Sequence, residues 1–315
     1  MIAIGIDLGG TNIKAALVDK SKGILRKTSV PTEADKGKDH VFDKIKIAVD
    51  SLMEGSDTNP IGIGMGSPGM VTLDRTTVKN PPNLAGWGVV NVSNEVKKRT
   101  GFNCIIDNDA NLAALGSSRF GVGKDFDSMI MLTLGTGVGG GIIFKRNLLR
   151  GTTGSAAELG HVIINYKGPL SNSNTRGGIE AYLGQRFLSR FAAKSIREHP
   201  DNPLYKEFLN NFDQLEPVDL FKAAENGNQL AATILQKTGE KLGYAIVNYI
   251  HILDIRKIVV SGGVAKAGRW LIEPAKSKAL EYLMPPFREG FEILYEPLGN
   301  DAALYGASSL ALEHL

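Results

Sequence analysis

The stretch "IAIGIDLGGTNIKAAL", residues 2–17, decides the fold. Isoleucine occupies every second position up to Asp7, and this period of two predicts a half-buried strand. Gly9 and Gly10 then interrupt the pattern, and the apolar "NIKAAL" resumes it as a second strand. Two alternating strands joined by a glycine turn predict a β-hairpin.

The turn of this hairpin, "DLGGT" at 7–11, is a candidate phosphate loop. Glycines allow successive backbone N–H groups to converge on an anion. Asp7 at the strand end suits a hydrated Mg²⁺ that bridges phosphates better than a phosphate itself. A plain hairpin turn with a capping aspartate explains the segment equally well when it is taken alone.

A similar pattern returns in "SMIMLTLGTGVGGGIIF" at 128–144, which predicts a second glycine-turned hairpin and two related halves. Its glycines at 135, 137 and 140, with Glu158 further on, formally match a dinucleotide-binding motif. That motif must open a helix, whereas the β-branched "GIIF" that follows is typical of a strand. We therefore interpret the segment as a second phosphate loop.

The segment "VVSGGVA" at 259–265 is a strand that ends in two glycines, where a ring or ribose can approach the backbone. A tight strand-to-helix turn is an equally good explanation. Together with the two hairpins, it resembles the two-domain actin-like ATPase (ribonuclease H-like) α/β fold with an interdomain active-site cleft. We expect a smaller domain at 1–108 plus 299–315 and a larger one at 109–298.

Periodicity and turn residues predict the remaining elements. Helices are predicted at 40–54, 110–121, 178–197, 217–226, 229–253, 267–283 and 300–315. Strands are predicted at 61–65, 104–109, 257–261 and 291–296.

The segment "IIDNDANLAALG" at 105–116 places Asn108 and Asp109 where an apolar strand gives way to a helix. A carboxylate there can accept the proton of a hydroxyl that attacks phosphorus. Asn108 can donate to and accept from a neighbouring hydroxyl. Helix N-capping is the competing explanation for one of the two residues.

The segment "AAELGH" at 156–161 carries Glu158 and His161, and Glu180 follows. Carboxylates and an imidazole can bridge adjacent sugar hydroxyls as acceptors and donors. For Glu158 and His161 as an isolated pair, a surface glutamate and a buried, hydrogen-bonded histidine would be the better explanation.

Composition excludes several classes of protein. The 315 residues are 43% hydrophobic with a net charge of +3 and no long basic block, so nucleic acid is not indicated. Cys104 is the one cysteine, which leaves no thiolate metal cage. No signal-peptide pattern and no apolar run of membrane length occur, so we expect a cytoplasmic protein without a membrane partner.

Six segments occur in the order seen in the ROK family of bacterial sugar kinases and repressors. They are "DLGGTNIKAAL", "GIGMGSPGMV", "NPPNLAGW", "NDANLAALGSSRFG", "LTLGTGVGGGII" and "SAAELGH". The similarity runs from residue 1 to the final helix, and "GSPGMV" and "PNLAGW" are most similar to the family's glucokinases.

The resemblance implies an ATP-dependent kinase that phosphorylates a hexose, with the 6-hydroxyl of glucose as the first choice. N-acetylhexosamines, mannose and fructose stay open as acceptors, as does polyphosphate as donor. It also implies a homodimer. A sugar-sensing regulator is less favoured because it would need a DNA-binding extension before the first strand. A chaperone-like or filament-forming ATPase would leave the predicted sugar-binding side chains without a task.

The resemblance also assigns roles to residues. Nucleotide and Mg²⁺ contacts, the latter through water at Asp7, are implied for Asp7, Gly9, Gly10, Thr11, Asn12, Thr133, Gly135, Thr136, Gly137, Gly262 and Gly263. Sugar contacts are implied for Gly66, Asn83, Asn108, Asp109, Glu158, His161 and Glu180. Asp109 is the implied catalytic base. Many members carry lysine where this chain has Asn12, so a cationic contact there is lost or passes to Lys14.

In zinc-containing members, three cysteines of a C-x-C-G-x-x-G-C-x-E loop bind the metal together with the histidine that corresponds to His161. Counting back from Glu180, the cysteine positions hold Ser171, Ser173 and Gly178. None of these is a soft ligand. We therefore expect a protein without a zinc site, in which other contacts must orient His161 and Glu180. The alternatives are packing of Leu170, Ile179 and Tyr182, or hydrogen bonds from Asn172, Asn174 and Arg176.

Overall fold

The computed structural model describes residues 1–84 and 86–315. Its strands are β1 (Ile2–Leu8), β2 (Asn12–Asp19), β3 (Gly23–Pro31), β4 (Ile63–Ser67), β5 (Met70–Val71), β6 (Thr77–Lys79), β7 (Val89–Asn91), β8 (Cys104–Asn108), β9 (Met129–Leu134), β10 (Val138–Phe144), β11 (Asn147–Leu148), β12 (Lys257–Ser261) and β13 (Glu292–Tyr295). Its α-helices are α1 (Lys38–Met53), α2 (Val92–Thr100), α3 (Asp109–Phe120), α4 (Glu180–Leu183), α5 (Gln185–Arg197), α6 (Pro203–Phe208), α7 (Pro217–Glu225), α8 (Gln229–Leu253), α9 (Arg269–Tyr282) and α10 (Asp301–His314).

The chain forms two compact units. The first unit comprises Met1–Ser128, Gly141–Ala157 and Pro297–Leu315. The second comprises Met129–Gly140 and Glu158–Glu296. The division into domains at 108/109 and 298/299 stays a prediction.

The first unit is built on a sheet of order β3-β2-β1-β4-β8. The first hairpin is confirmed, because β1 pairs antiparallel with β2 through its whole length. β1 also pairs in parallel with β4, and β4 with β8. Helix α1 packs over β2 and β3, where Phe42 and Ile45 join the buried core formed with Ile4 and Ile6.

Helix α10 lies so close to β1, β4 and α3 that glycines are required at the contacts. A Cβ on Gly64 of β4 would lie 1.7 Å from the carbonyl oxygen of Ala307. A Cβ on Gly306 would lie 1.7 Å from the carbonyl oxygen of Leu112 in α3. Helix α3, with Asp109 at its start, is therefore held by direct backbone contact with α10.

The segment 62–90 contains more regular structure than its sequence predicts. β5, β6 and β7 form a small antiparallel sheet. Each of these strands has only two or three residues, too few for the alternation of apolar and polar side chains to be recognised. The edge strand β3 was also missed.

The second unit carries β9, β12 and β13, which neighbour one another in the order β9-β12-β13, and the residues of β10 up to Gly140. β12 pairs in parallel with both β9 and β13. The long helix α8 packs against α9 and α7, and its apolar positions are fully buried at Leu242, Ile246 and Ile250. The helices predicted at 217–226, 229–253 and 267–283 are confirmed as α7, α8 and α9.

The helix predicted at 178–197 is wrong as a single element. Gly184 has an extended conformation with φ −61° and ψ 136°, which separates α4 from α5. A Cβ on Gly184 would lie 3.1 Å from the carbonyl oxygen of Thr136, and Gln185 donates its backbone N–H to the carbonyl of Gly135 at 2.9 Å. The break therefore brings the start of α5 against the loop between β9 and β10.

No helix in the described part of the chain has both the length and the apolar character needed to cross a membrane.

Candidate active site

In the first unit, polar residues meet at the carboxyl ends of three neighbouring parallel strands. Asp7 at the end of β1 is paired with Gly66 of β4, and Ser67 of β4 is paired with Asn108 of β8. A Cβ on Gly66 would lie 3.5 Å from the Cα of Asp109. The absence of a side chain at Gly66 thus leaves room between the positions of the two aspartates.

The loop between β1 and β2 is fixed by its own backbone and by Thr32. The Gly9 N–H donates to the carbonyl of Asn12 at 3.1 Å. Thr32 is fully buried, donates its hydroxyl to the carbonyl of Gly9 at 2.7 Å, and donates its N–H to the carbonyl of Thr11 at 2.8 Å. Thr32 has no signal in the sequence, because only the folded sheet brings this residue back to the loop.

Asn83 lies beside the same loop. A Cβ on Gly10 would be 3.0 Å from the Cβ of Asn83, a tight contact that the glycine avoids. Asn83 itself has a left-handed backbone with φ 66°, which asparagine tolerates better than most residues. The structure therefore brings together one residue predicted to bind nucleotide and one predicted to bind sugar.

Asp7 is half-buried next to this loop. Desolvation raises the pKa of Asp7 above its ordinary value of 3.8, and the positive charge of Lys14 opposes that rise. Lys14 is the cross-strand partner of Asp7 in the hairpin. A single carboxylate beside a glycine loop fits a hydrated Mg²⁺, which usually keeps several of its waters.

Asn108 serves as the N-cap of α3. Its side-chain oxygen accepts from the N–H groups of Ala110 at 3.0 Å and Asn111 at 3.3 Å. Its amide nitrogen donates to the carbonyl of Gly69 at 3.3 Å. The capping explanation is thus correct for Asn108, and its contact with a sugar stays a prediction.

Asp109 is the first residue of α3 and is half-buried. One of its carboxylate oxygens accepts from the N–H of Ala110 at 2.8 Å. The positive end of the helix macrodipole favours a negative charge at this position. The structure therefore places a carboxylate at the edge where β1, β4 and β8 end, at a helix N-terminus that favours negative charge.

Asp107, immediately before this pair, is a structural residue that the sequence analysis missed. It is fully buried, and its carboxylate lies 2.9 Å from Nε of Arg150 and 3.3 Å from Nε of Arg75. It also accepts from the side-chain amide of Asn111 at 3.1 Å. An acid inside the apolar "CIIDN" was the only sequence signal, because both arginines are distant along the chain.

In the second unit, Glu180 lies against the loop between β9 and β10. Its carboxylate accepts from the N–H of Val138 at 3.2 Å. A Cβ on Gly137 would lie 2.3 Å from the same carboxylate oxygen, so the contact needs glycine there. Glu180 was predicted to bind sugar, and the structure adds a role in fixing the second glycine loop.

The glycines after β12 have two different surroundings. Gly262 has φ 94°, and a Cβ there would lie 2.3 Å from the carbonyl oxygen of Leu134 in β9. Among the described residues, none has an atom within 4 Å of a Cβ built on Gly263. Gly262 is required by the fold, whereas Gly263 leaves space that a ligand could fill.

Glu158 and His161 are neighbours, as their spacing predicts. Nε2 of His161 lies 3.6 Å from a carboxylate oxygen of Glu158, and both side chains are substantially exposed. On the other edge of the ring, Nδ1 lies 3.1 Å from the hydroxyl of Ser173. The description of His161 as a buried core residue is therefore wrong.

Within residues 1–84 and 86–315, no three His, Cys, Asp or Glu side chains are grouped so that they could hold a metal ion. Two of the three positions that correspond to zinc-binding cysteines form a hydroxyl contact, with 2.8 Å between the Oγ atoms of Ser171 and Ser173.

Comparison with known proteins gives consistent results over the whole length. The model of the ROK family matches residues 3–314. A glucokinase of Thermotoga maritima is 35% identical over 312 residues, which are 99% of this chain and 98% of that protein. A glucokinase of Halalkalibacterium halodurans is 34% identical over 98% of this chain and 94% of its own length.

A solved structure gives the same result. The ROK family glucokinase of Streptomyces griseus in complex with glucose and AMPPNP has a TM-score of 0.85 and 32% identity. The match covers 99% of this chain and 100% of that one. The prediction of an actin-like ATPase fold is confirmed.

Proposed function

Because this chain belongs to the ROK family, we propose that it is a glucokinase, which transfers the γ-phosphoryl group of ATP to the 6-hydroxyl of glucose. One observation carries the proposal: Asp109 opens α3 at the strand edge that also holds Asp7 and Gly66. Full-length similarity to glucokinases supports glucose as the acceptor.

Asp109 is the proposed catalytic base. Its carboxylate accepts the proton of the sugar hydroxyl as that oxygen attacks phosphorus, and the positive end of the α3 macrodipole favours negative charge at this position. Helix α10 fixes the position of α3 through the Gly306 contact, so the base is positioned by packed backbone. In phosphoryl transfer the protein has mainly two tasks, which are to position the reactants and to stabilise charge.

Asp7 is the proposed residue that holds Mg²⁺, through water. When bound, Mg²⁺ neutralises charge on the phosphate oxygens. Lys14 is the cation next to Asp7 across the hairpin, and we propose that it takes over the phosphate contact that other family members make with a lysine at the position of Asn12.

The remaining proposed contacts divide into two groups. The nucleotide contacts are the backbone groups and hydroxyls of Gly9, Gly10, Thr11, Asn12, Thr133, Gly135, Thr136, Gly137, Gly262 and Gly263. The sugar contacts are Gly66, Asn83, Asn108, Asp109, Glu158, His161 and Glu180. We also propose a homodimer and a cytoplasmic location.

A coupled assay with Mg-ATP and a panel of hexoses tests the proposal. Glucose should give the highest kcat/KM among glucose, mannose, fructose, N-acetylglucosamine and N-acetylmannosamine. Polyphosphate in place of ATP tests the donor in the same assay. A higher kcat/KM for an N-acetylhexosamine would contradict glucose as the substrate, and no turnover with any sugar would contradict a sugar kinase.

A further inference from the structure

Hydroxyl groups of the loop 171–175 lead to the ring of His161. The Oγ atoms of Ser171 and Ser173 are 2.8 Å apart, and Oγ of Ser173 lies 3.1 Å from Nδ1 of His161. Oγ1 of Thr175 is a second acceptor for the Ser173 hydroxyl, at the longer distance of 3.3 Å. Ser171 is buried and donates its backbone N–H to the carbonyl of Thr175 at 3.0 Å. The backbone of the loop therefore fixes the hydroxyl groups near the ring.

The number of available protons limits how these groups are arranged. The Ser173 hydroxyl has one proton, so it donates to only one of its three neighbours. Nε2 of His161, on the far side of the ring, lies 3.6 Å from the Glu158 carboxylate. A carboxylate only accepts hydrogen bonds, so an N–H at Nε2 is favoured over a lone pair there. In a neutral ring Nδ1 then carries a lone pair, and the Ser173 hydroxyl is positioned to donate a hydrogen bond to it.

We propose that Ser173 is a positioning residue that donates to Nδ1 of His161 and holds the ring in the tautomer with its proton on Nε2. Ser171 donates in turn to Oγ of Ser173 and keeps that hydroxyl oriented. His161 then presents an N–H donor to a sugar oxygen, while Glu158 accepts from a sugar hydroxyl. The inference rests on the proposed function, since the ligand of His161 is taken to be the sugar.

Kinetics of Ser173→Ala test the positioning role. A neutral hydrogen bond is worth about 0.5–1.5 kcal/mol, so KM for glucose should rise about twofold to tenfold. The kcat and the KM for ATP should stay at the wild-type values, because Ser173 touches neither the base nor the nucleotide loops. Ser173→Thr keeps the hydroxyl and should restore the wild-type KM. Asn172→Ala, an exposed position in the same loop, is the matched control and should change nothing.

The tautomer of His161 can be measured without any sugar. The chain has five histidines, so ¹⁵N-histidine labelling gives few signals, and the spectrum of His161→Asn assigns the one of interest. Wild type should show a bare Nδ1 and a protonated Nε2, and Ser173→Ala should show a mixture of tautomers.

Two results would overturn the assignment of Ser173. One is a proton on Nδ1 in the wild-type protein, and the other is a Ser173→Ala variant with unchanged KM and ring-nitrogen shifts. Absence of glucose phosphorylation by wild type would contradict the proposed function instead. In that case the nitrogen shifts alone would decide whether Ser173 holds the ring.

Discussion

At the residue scale, local motifs predicted the candidate functional side chains, while the partners that support these side chains depend on the folded chain. Asp109 was predictable because the strand, the two polar residues and the helix are contiguous in the sequence. Asp107 and Thr32 were not, because their partners come from distant segments. A sequence pattern can indicate a strand end, but it contains no distance between a carboxylate and an arginine far along the chain.

Asp7→Asn should reduce activity and increase stability. Burial raises the pKa of Asp7, so the folded state binds this proton more tightly than the unfolded state does. The stabilising contribution of protonated Asp7 is therefore complete below pH 3.8 and is lost as the pH rises through the raised pKa. At neutral pH the ionised carboxylate destabilises the folded state. The variant should have a higher Tm than wild type at pH 7, and this advantage should disappear below pH 3.8. Activity should fall about 10- to 100-fold if Asp7 holds Mg²⁺.

Asp19 provides a control of opposite sign in the same hairpin. Hydrogen bonds from the hydroxyl and N–H of Ser21 lower the pKa of Asp19, so its ionised form is stabilising at neutral pH. Asp19→Asn should have a lower Tm at pH 7 with normal kinetics. A lower Tm for Asp7→Asn at pH 7 would show that desolvation is not the dominant effect on the Asp7 carboxylate.

At the element scale, sequence periodicity predicted the hairpins and the long helices. The elements that were predicted wrongly or missed depend on tertiary contacts. The break between α4 and α5 arises because Gly184 passes close to the carbonyl of Thr136. The small sheet β5-β6-β7 consists of strands too short to show a period. These features depend on contacts between distant segments and therefore leave little local pattern.

Gly306→Ala should separate α10 from α3. The new Cβ would lie 1.7 Å from the carbonyl oxygen of Leu112, and backbone cannot move aside as a flexible side chain can. Overpacking typically costs about 1–3 kcal/mol, so the unfolding midpoint in urea should fall, and kcat should fall as Asp109 shifts with α3. Ala303→Ser on the same helix is the control and should leave both unchanged. Wild-type stability of Gly306→Ala would contradict the close contact.

Asp107→Asn should destabilise the first unit. It leaves Arg75 and Arg150 without the carboxylate that faces both, and breaking a buried ion pair costs about 3–5 kcal/mol. Thermal unfolding measures the effect. The double variant Asp107→Asn/Arg150→Met should lose less stability than the sum of the two single variants, because it also removes one of the unpaired charges. Additive losses would mean that the two residues do not interact.

At the scale of the whole molecule, the repeated hairpin and the order of motifs were enough to predict the fold. They did not reveal that 141–157 belongs to the same compact unit as the first 128 residues. That membership arises from tertiary contacts such as the three hydrogen bonds from Arg150 to the carbonyls of residues 71–73. The segment 141–157 contains no sequence pattern that indicates its unit.

Turnover of ATP should depend on the sugar. A kinase that uses Asp109 to accept the proton of a sugar hydroxyl has no comparable reaction without that hydroxyl, so ADP release without glucose should be slow. A chaperone-like or filament-forming ATPase would hydrolyse ATP equally well in both conditions. Phosphate and ADP release, measured with and without glucose, distinguish the two classes, and equal rates would contradict the kinase assignment.

The measurement that tests the central claim most directly is kcat of Asp109→Asn with saturating Mg-ATP and glucose. General-base catalysis is typically worth about 10²–10⁴-fold, so kcat should fall by that factor. Nucleotide affinity, measured by calorimetry, should stay at the wild-type value. A variant that binds nucleotide normally and keeps more than a tenth of the wild-type kcat would show that Asp109 is not the base.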